Sequence, residues 1–412
     1  MAFKEIIGHQ HQIEALRQAI ASERVPNAYL FVGPPNVGKT LIAREFARTV
    51  NCEALATSGD GDIDACGLCH NCVRIGESNH PDLMIVQPAV RVEVKPPEED
   101  ERGKGEPKAR DVRREVYVDL PDALIYKEQI GELLRHLSAK PVLGRRKVAI
   151  ICSAERMNMV AANHLLKTLE EPPPNTTFVL TSENPTRLLE TIISRCQTMT
   201  FGTLPAEELL EALRTEFPEA DESLRQGAAA ISGGRYGRAR WLLQAPDVLD
   251  LRKELLELAS STADVPLVAS LAMGERLAEM PGRWWEAAEQ AFAGTGAGSS
   301  EEREMRAEAL EQLRKRSPDR INRIQVSELL DILQTWYRDL TLLRSNPQSE
   351  LVINRDQAEV LRALAGGYTP EGLVWASQVI EETRRDLVAY NANFALACQV
   401  LMVKLISAAR RR

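Results

Sequence analysis

The strongest constraint in this sequence is eight residues long. Gly33-Pro34-Pro35-Asn36-Val37-Gly38-Lys39-Thr40 fits G-x-x-x-x-G-K-[ST], a pattern whose glycines let backbone N–H groups close around a phosphate. The flanks agree. Residues 27–32 form an apolar run that reads as a buried strand, and residues 41–50 read as a helix. A strand–loop–helix unit of this kind aims the positive end of the helix at the anion. Lys39 is then placed to neutralise the β/γ-phosphates of a nucleotide, ATP or ADP, and the Thr40 hydroxyl to ligate its Mg²⁺.

More strands follow. Residues 148–152 and 177–180 are apolar runs, and residues 197–201 make a last strand. Helical spacing links them: Ile130, Leu133, Leu134 and Leu137 first, then Ala162, Leu165, Leu166 and Leu169 over Met159–Glu170, stopped by Pro172-Pro173-Pro174. Strands alternating with helices predict a parallel α/β sheet. After Pro205 the pattern is helical only, with composition breaks at 244–246 and at the Gly/Ser-rich 294–300. Residues 91–116 are nearly all charged, Pro or Gly and read as an exposed insertion.

Phosphoryl transfer beside such a loop needs a second strand ending in acids, one to hold the Mg²⁺ shell and one to polarise water. The strand at 148–152 ends instead in Cys152-Ser153-Ala154. Glu155 is the nearest acid and lies three residues further on. The residues thus predict nucleotide binding without hydrolysis, unless Glu155 reaches in or another strand serves.

Cys52, Cys66, Cys69 and Cys72 give C-x13-C-x2-C-x2-C, with Gly67 and Asn71 at the turns. Four thiolates suit a closed, structural Zn²⁺ site. An iron–sulfur cluster is the competing reading, but no C-x3-C-P follows. His70 and His80 could substitute as ligands. Cys152, Cys196 and Cys398 read as small buried residues.

Composition narrows the partners. The 412 residues carry 51 Lys and Arg against 59 Asp and Glu, a net charge of −8, which excludes coating DNA by bulk charge but not a local basic patch. Arg145-Arg146-Lys147 is a candidate patch, and Arg410-Arg411-Arg412 reads as a charged tail. No run approaches a membrane span, and the first twenty residues are interrupted by charge, so the expected compartment is the cytoplasm.

These pieces together resemble the bacterial clamp-loader AAA+ subunits of DNA polymerase III. The resemblance covers about residues 3–201. It is carried by Ile7-Gly8-His9-Gln10, the phosphate loop, Asn51-Cys52, the three-Cys knuckle and Ser194-Arg195-Cys196. The longest match is Asn163-His164-Leu165-Leu166-Lys167-Thr168-Leu169-Glu170-Glu171-Pro172-Pro173. It implies an AAA+ domain with zinc knuckle over 1–201, a helical lid over 202–246 and a helical collar over 247–412.

Among the family's members, the tau/gamma motor carries Asp-Glu eleven residues before the helix Asn. Here that count back from Asn163 lands on Cys152, with Ser153 after it. The delta-prime subunit is the non-hydrolysing member that keeps Ser-Arg-Cys, and the sequence looks most like it. The resemblance implies a hetero-pentameric ring with tau/gamma and delta that loads the sliding clamp onto primed DNA. Arg195 would act in trans on a neighbour's ATP. The family's lid Arg falls on Gly237 here, with Arg235 and Arg238 as possible replacements. An active tau/gamma-type ATPase and a nucleotide-free scaffold are the alternatives.

Overall fold

A computed structural model describes residues 2–57, 63–94, 114–118, 123–293, 308–309, 311–313, 315, 318–388, 390 and 392–410. These residues divide into two units. The first holds residues 1–212, 235–237 and 297–310; the second holds residues 213–234, 238–296 and 311–412.

The elements of the first unit, in chain order, are α1 (Gln10–Ala21), β1 (Ala28–Val32), α2 (Lys39–Val50), β2 (Ala56–Thr57), β3 (Ile63–Asp64) and α3 (His70–Gly76). They continue with β4 (Leu83–Val86), β5 (Val90–Val94), β6 (Arg114–Val118), α4 (Lys127–Leu137), β7 (Lys147–Ile151) and α5 (Met159–Glu170). β8 (Thr176–Ser182), α6 (Glu190–Ile193) and β9 (Gln197–Thr200) complete the sheet. Five strands form it in the order β4-β7-β8-β1-β9, with every pairing parallel.

The strand sequences explain the layering. Side chains alternate across a strand, so a strand covered on both faces must be apolar at every position. β7 and β8 are buried throughout, and β1 nearly so. Tyr29, Phe31, Val148, Ile150 and Val179 face one way and pack with Ile13 of α1 and Ile42 and Phe46 of α2. Ala28, Leu30, Ala149, Ile151, Phe178 and Leu180 face the other way, onto Ile130 and Leu133 of α4 and Leu165 and Leu169 of α5. The result is a three-layer α/β/α unit. Loops at the carboxyl ends of its strands are where such sheets bind ligands.

Within 91–116, read above as an exposed insertion, the ends are ordered. β5 and β6 pair antiparallel, with Val90 opposite Val118 and Val92 opposite Val116. Val90, Val92 and Val94 alternate with Arg91 and Glu93 along β5, a period of two that the charge count conceals. Residues 95–113 of that insertion lie outside the described residues.

The second unit is helical, and none of the described residues beyond Thr200 lies in a strand. Its core is a single cluster around Trp284, Trp336, Tyr337, Leu340, Tyr368 and Leu401. Arg252, 4% exposed, is paired with Asp356 at 2.8 Å and bonded to Asn354, so its buried charge is satisfied.

Candidate functional site: a phosphate loop and a four-cysteine knuckle

The phosphate loop leaves β1 at the carboxyl edge of the sheet. Gly33 cannot be replaced there, because a Cβ would lie 2.2 Å from the Phe201 carbonyl oxygen. Gly38 has φ +102° as it caps α2, a conformation that only glycine adopts without strain. Asn36 is left-handed at φ +60°, which Asn tolerates. His9 braces the loop from outside, its Nε2 donating to Val37 O at 2.8 Å while its ring packs on Phe201.

Lys39 is buried, and its ammonium donates to Gly33 O at 2.6 Å and Pro34 O at 2.5 Å. Burial lowers its pKa, and the charges of Glu183 and then Glu155 oppose that shift. These two acids make up part of the negative surroundings that phosphate oxygens would otherwise supply.

At the end of β7 the structure puts Cys152 beside Thr40, Sγ to Oγ1 3.7 Å. Cys152 is buried in the core beneath the loop, as its reading as a small buried residue expects. Ser153, at φ +48°, donates its N–H to Thr181 Oγ1. Glu155 Oε1 accepts the Glu183 N–H at 3.3 Å, and its Oε2 is buried with no hydrogen-bond partner among the described residues.

Gly237 explains the missing lid arginine. Its N–H donates to Asn36 O at 2.8 Å, and a Cβ there would sit 2.9 Å from that same oxygen. No side chain fits at this position without displacing the loop. Arg238, a candidate replacement for that arginine, is paired with Glu328 at 3.1 Å.

The four cysteines converge as their spacing predicts. Cys52 follows α2 directly, while Cys66, Cys69 and Cys72 wrap the turn at Gly67 (φ +74°) and the start of α3. Their sulfurs all lie within 4.8 Å of one another, with Cys66–Cys72 at 3.9 Å and Cys52–Cys69 at 4.0 Å. Tetrahedral Zn–S bonds of about 2.3 Å put sulfurs about 3.8 Å apart, so the set fits one zinc ion and leaves no room for a cluster body.

Backbone N–H groups of Cys66, Cys69 and Cys72 point at the sulfurs of Cys52, Cys66 and Cys69 at 3.3–3.5 Å, which favours thiolates. Amides of Cys69 and Leu68 bring the Cys66 thiol down to about 6, while burial raises Cys52 and Cys72. His80 is no ligand. Its Nε2 pairs with Asn71 Oδ1 at 3.1 Å and its Nδ1 accepts the Asp82 N–H.

Arg195 lies at the other edge of the sheet. Its Nη2 meets Glu170 Oε1 at 2.6 Å and its Nη1 donates to Thr191 O at 2.8 Å. Glu170 and Arg195 line a cavity of about 480 Å³ with Pro26, Asn27 and Gln197. Asn27 precedes β1, whereas the phosphate loop follows it. A strand of five residues separates the two, about 16 Å at 3.3 Å per residue, so Arg195 does not serve its own chain's loop.

Two expectations need correction. Lys147 is buried and donates to His136 O, so it offers nothing to DNA; only Arg145 of the 145–147 patch is exposed. Cys196 is half-buried rather than buried, although burial still pushes its thiol up to about 11. His9 and Glu183 bear on the loop yet carried no spacing signal, because each reaches it from a distant segment.

Two family models match the chain: DNA polymerase III, delta subunit, over residues 8–205, and DNA polymerase III, delta subunit, C terminal, over residues 304–406. The delta-prime subunit of Bacillus subtilis is 34% identical over 52% of this chain and 54% of its own. The tau/gamma subunit of Haemophilus influenzae is 33% identical over 56% of this chain and 29% of its own. The delta-prime subunit of Pseudomonas aeruginosa is 32% identical over 50% of this chain and 53% of its own.

This chain thus spans between a quarter and about half of the length of these relatives. The fold defines a phosphate-loop α/β unit with a helical remainder. The chain belongs to the clamp-loader family of DNA polymerase III subunits. Among the described residues, no helix is long and apolar enough to cross a membrane.

Proposed function

We propose that this chain is a delta-prime-type clamp-loader subunit that binds nucleotide without turning it over and acts on a neighbour's ATP through Arg195. The observation that supports this most is the Cys152–Thr40 contact of 3.7 Å, a thiol where the metal-holding acid would be. The loop itself is intact. Gly33 to Thr40 would wrap the phosphates of ATP or ADP, with Lys39 exchanging its two carbonyl partners for phosphate oxygens. Mg²⁺, when bound, would screen the phosphate charge, and Thr40 is the residue placed to hold it.

In trans, a guanidinium at the nucleotide of the next protomer stabilises charge on the transferring phosphoryl group, an effect worth about 10³–10⁵ in rate where such fingers are known. Arg195 is the candidate, oriented by Glu170 at the sheet edge away from its own loop. The proposed partners are tau/gamma and delta subunits in a hetero-pentameric ring, the sliding clamp and the phosphate backbone of primed DNA. On this reading residues 202–246 are the lid and 247–412 the collar. Zn²⁺ held by Cys52, Cys66, Cys69 and Cys72 is structural, and the setting is the cytoplasm.

A tau/gamma-type ATPase is the second reading. It is favoured by the unpartnered, buried Oε2 of Glu155, whose charge reaches Lys39. Reconstituting the ring with wild-type or Arg195→Ala chain and measuring DNA-stimulated ATPase tests the trans role. An ATPase assay on the isolated chain separates the two readings.

A further inference from the structure

The phosphate loop and the knuckle sit at opposite ends of one helix, and a strand closes the circuit. α2 begins at Lys39 and Thr40 and is capped at its other end by Asn51, the residue before Cys52. β7 delivers Cys152 to the Thr40 hydroxyl. The far ends of α2 and β7 are tied by Asn51, whose Oδ1 accepts the Arg146 N–H at 2.9 Å.

Asn51 is 1% exposed and fully engaged. Its Nδ2 donates to Ala47 O at 3.1 Å, and its backbone oxygen accepts Asn71 Nδ2 at 3.0 Å. Asn71 lies inside the knuckle, between Cys69 and Cys72, and leans on His80. The fit leaves no slack, since a Cβ on Gly144 would lie 2.4 Å from Asn51 Oδ1. Asp82 clamps the same loop by accepting the N–H groups of Val142, Leu143 and Gly144 at 2.7–2.8 Å.

We propose that Asn51 couples the metal knuckle to the nucleotide site, so that zinc occupancy raises nucleotide affinity. The inference rests on the reading of both sites given above. With zinc bound, the Cys66–Cys72 turn is fixed, and Asn71 holds Asn51. Asn51 in turn sets the last turn of α2 and the start of β7, the two elements whose other ends carry Lys39, Thr40 and Cys152. Without the ion, that end of α2 loses its anchor and frays, and the loop loses its fixed geometry. Linkage then requires nucleotide to tighten zinc binding by the same factor.

Isothermal titration of the full chain with ADP and Mg²⁺, zinc-loaded against chelator-stripped, reads the coupling. Stripping is expected to weaken ADP binding about fivefold or more, and ADP is expected to tighten zinc against a competing chelator by an equal factor. Asn51→Ala should keep its zinc by metal analysis, bind ADP as weakly as stripped wild type, and show no further change on stripping. Asn71→Ala removes the donor to the Asn51 carbonyl while leaving Asn51 in place, and should likewise make ADP affinity independent of zinc; it carries the test if the Asn51 variant does not fold.

Equal ADP affinity with and without zinc overturns the proposal while leaving both sites standing. Absence of ADP binding to any form, or of zinc from the wild-type protein, overturns it together with the reading it rests on. Either failure is recognised in the single-ligand titrations.

Discussion

Arg195 and Glu170 share one ion pair, Nη2 to Oε1 2.6 Å, at the sheet edge opposite the phosphate loop. The two come from distant segments, the turn before β9 and the last residue of α5, and both belong to stretches that carry the family resemblance. The pair is half-exposed, so it adds little to stability. Its value is orientation.

Arg195→Ala is therefore expected to leave the thermal midpoint of the isolated chain unchanged within about 2 °C and to lower DNA-stimulated ATPase of the reconstituted ring at least tenfold. Glu170→Gln keeps the size of the side chain and should give a smaller loss. An unchanged ring rate for Arg195→Ala would remove the finger role.

Cys152 sets its sulfur 3.7 Å from the Thr40 hydroxyl, and on the reading proposed above it stands where the metal-holding acid would be. Cys152→Asp is expected to strengthen ATP binding tenfold or more in the presence of Mg²⁺ and not in its absence, since only the metal complex gains an opposite charge. Titrations with and without Mg²⁺ check this. Equal affinities for the variant in both conditions would show that the end of β7 does not face the metal.

Much of this was legible in the sequence, for a physical reason. The phosphate loop and the cysteine knuckle are local patterns in which chain neighbours do the chemistry, and α5 was bounded correctly because Pro172 follows it. The β5–β6 ladder was hidden by the charged residues that interrupt its valines and by the long stretch of sequence between the two strands. Lys147 looked like a surface cation because burial of an ammonium requires a partner, and His136 O is eleven residues away in the chain. Contacts between distant segments, such as His9 with Val37 and Glu183 with Glu155, leave no spacing to read.

The knuckle yields a metal test. The pair of changes Cys66→Ser and Cys69→Ser is expected to remove about one zinc per chain by atomic absorption and to lower the melting midpoint by roughly 5 °C or more. Iron in the wild-type protein, or no metal at all, would contradict the assignment.

Glu45 gives a pH test. It is 3% exposed on α2 and paired with Arg48 at 3.1 Å, yet burial outweighs that pairing and pushes its carboxyl up to about 7. The folded value lies above the ordinary 4.5, so this group's contribution is fully present below about pH 4.5 and is lost as pH rises through 7. Glu45→Gln should therefore melt higher relative to wild type at pH 8 than at pH 5. A difference independent of pH between those values would contradict the burial argument.

The central claim is that this chain holds a nucleotide it cannot break. Titrating the isolated chain with ATP and Mg²⁺ while following phosphate release, with Lys39→Ala alongside, tests it directly. Saturable binding that the Lys39 change abolishes, with no steady phosphate release, is the expected result. Sustained turnover by the wild-type chain, lost in Lys39→Ala, would contradict it.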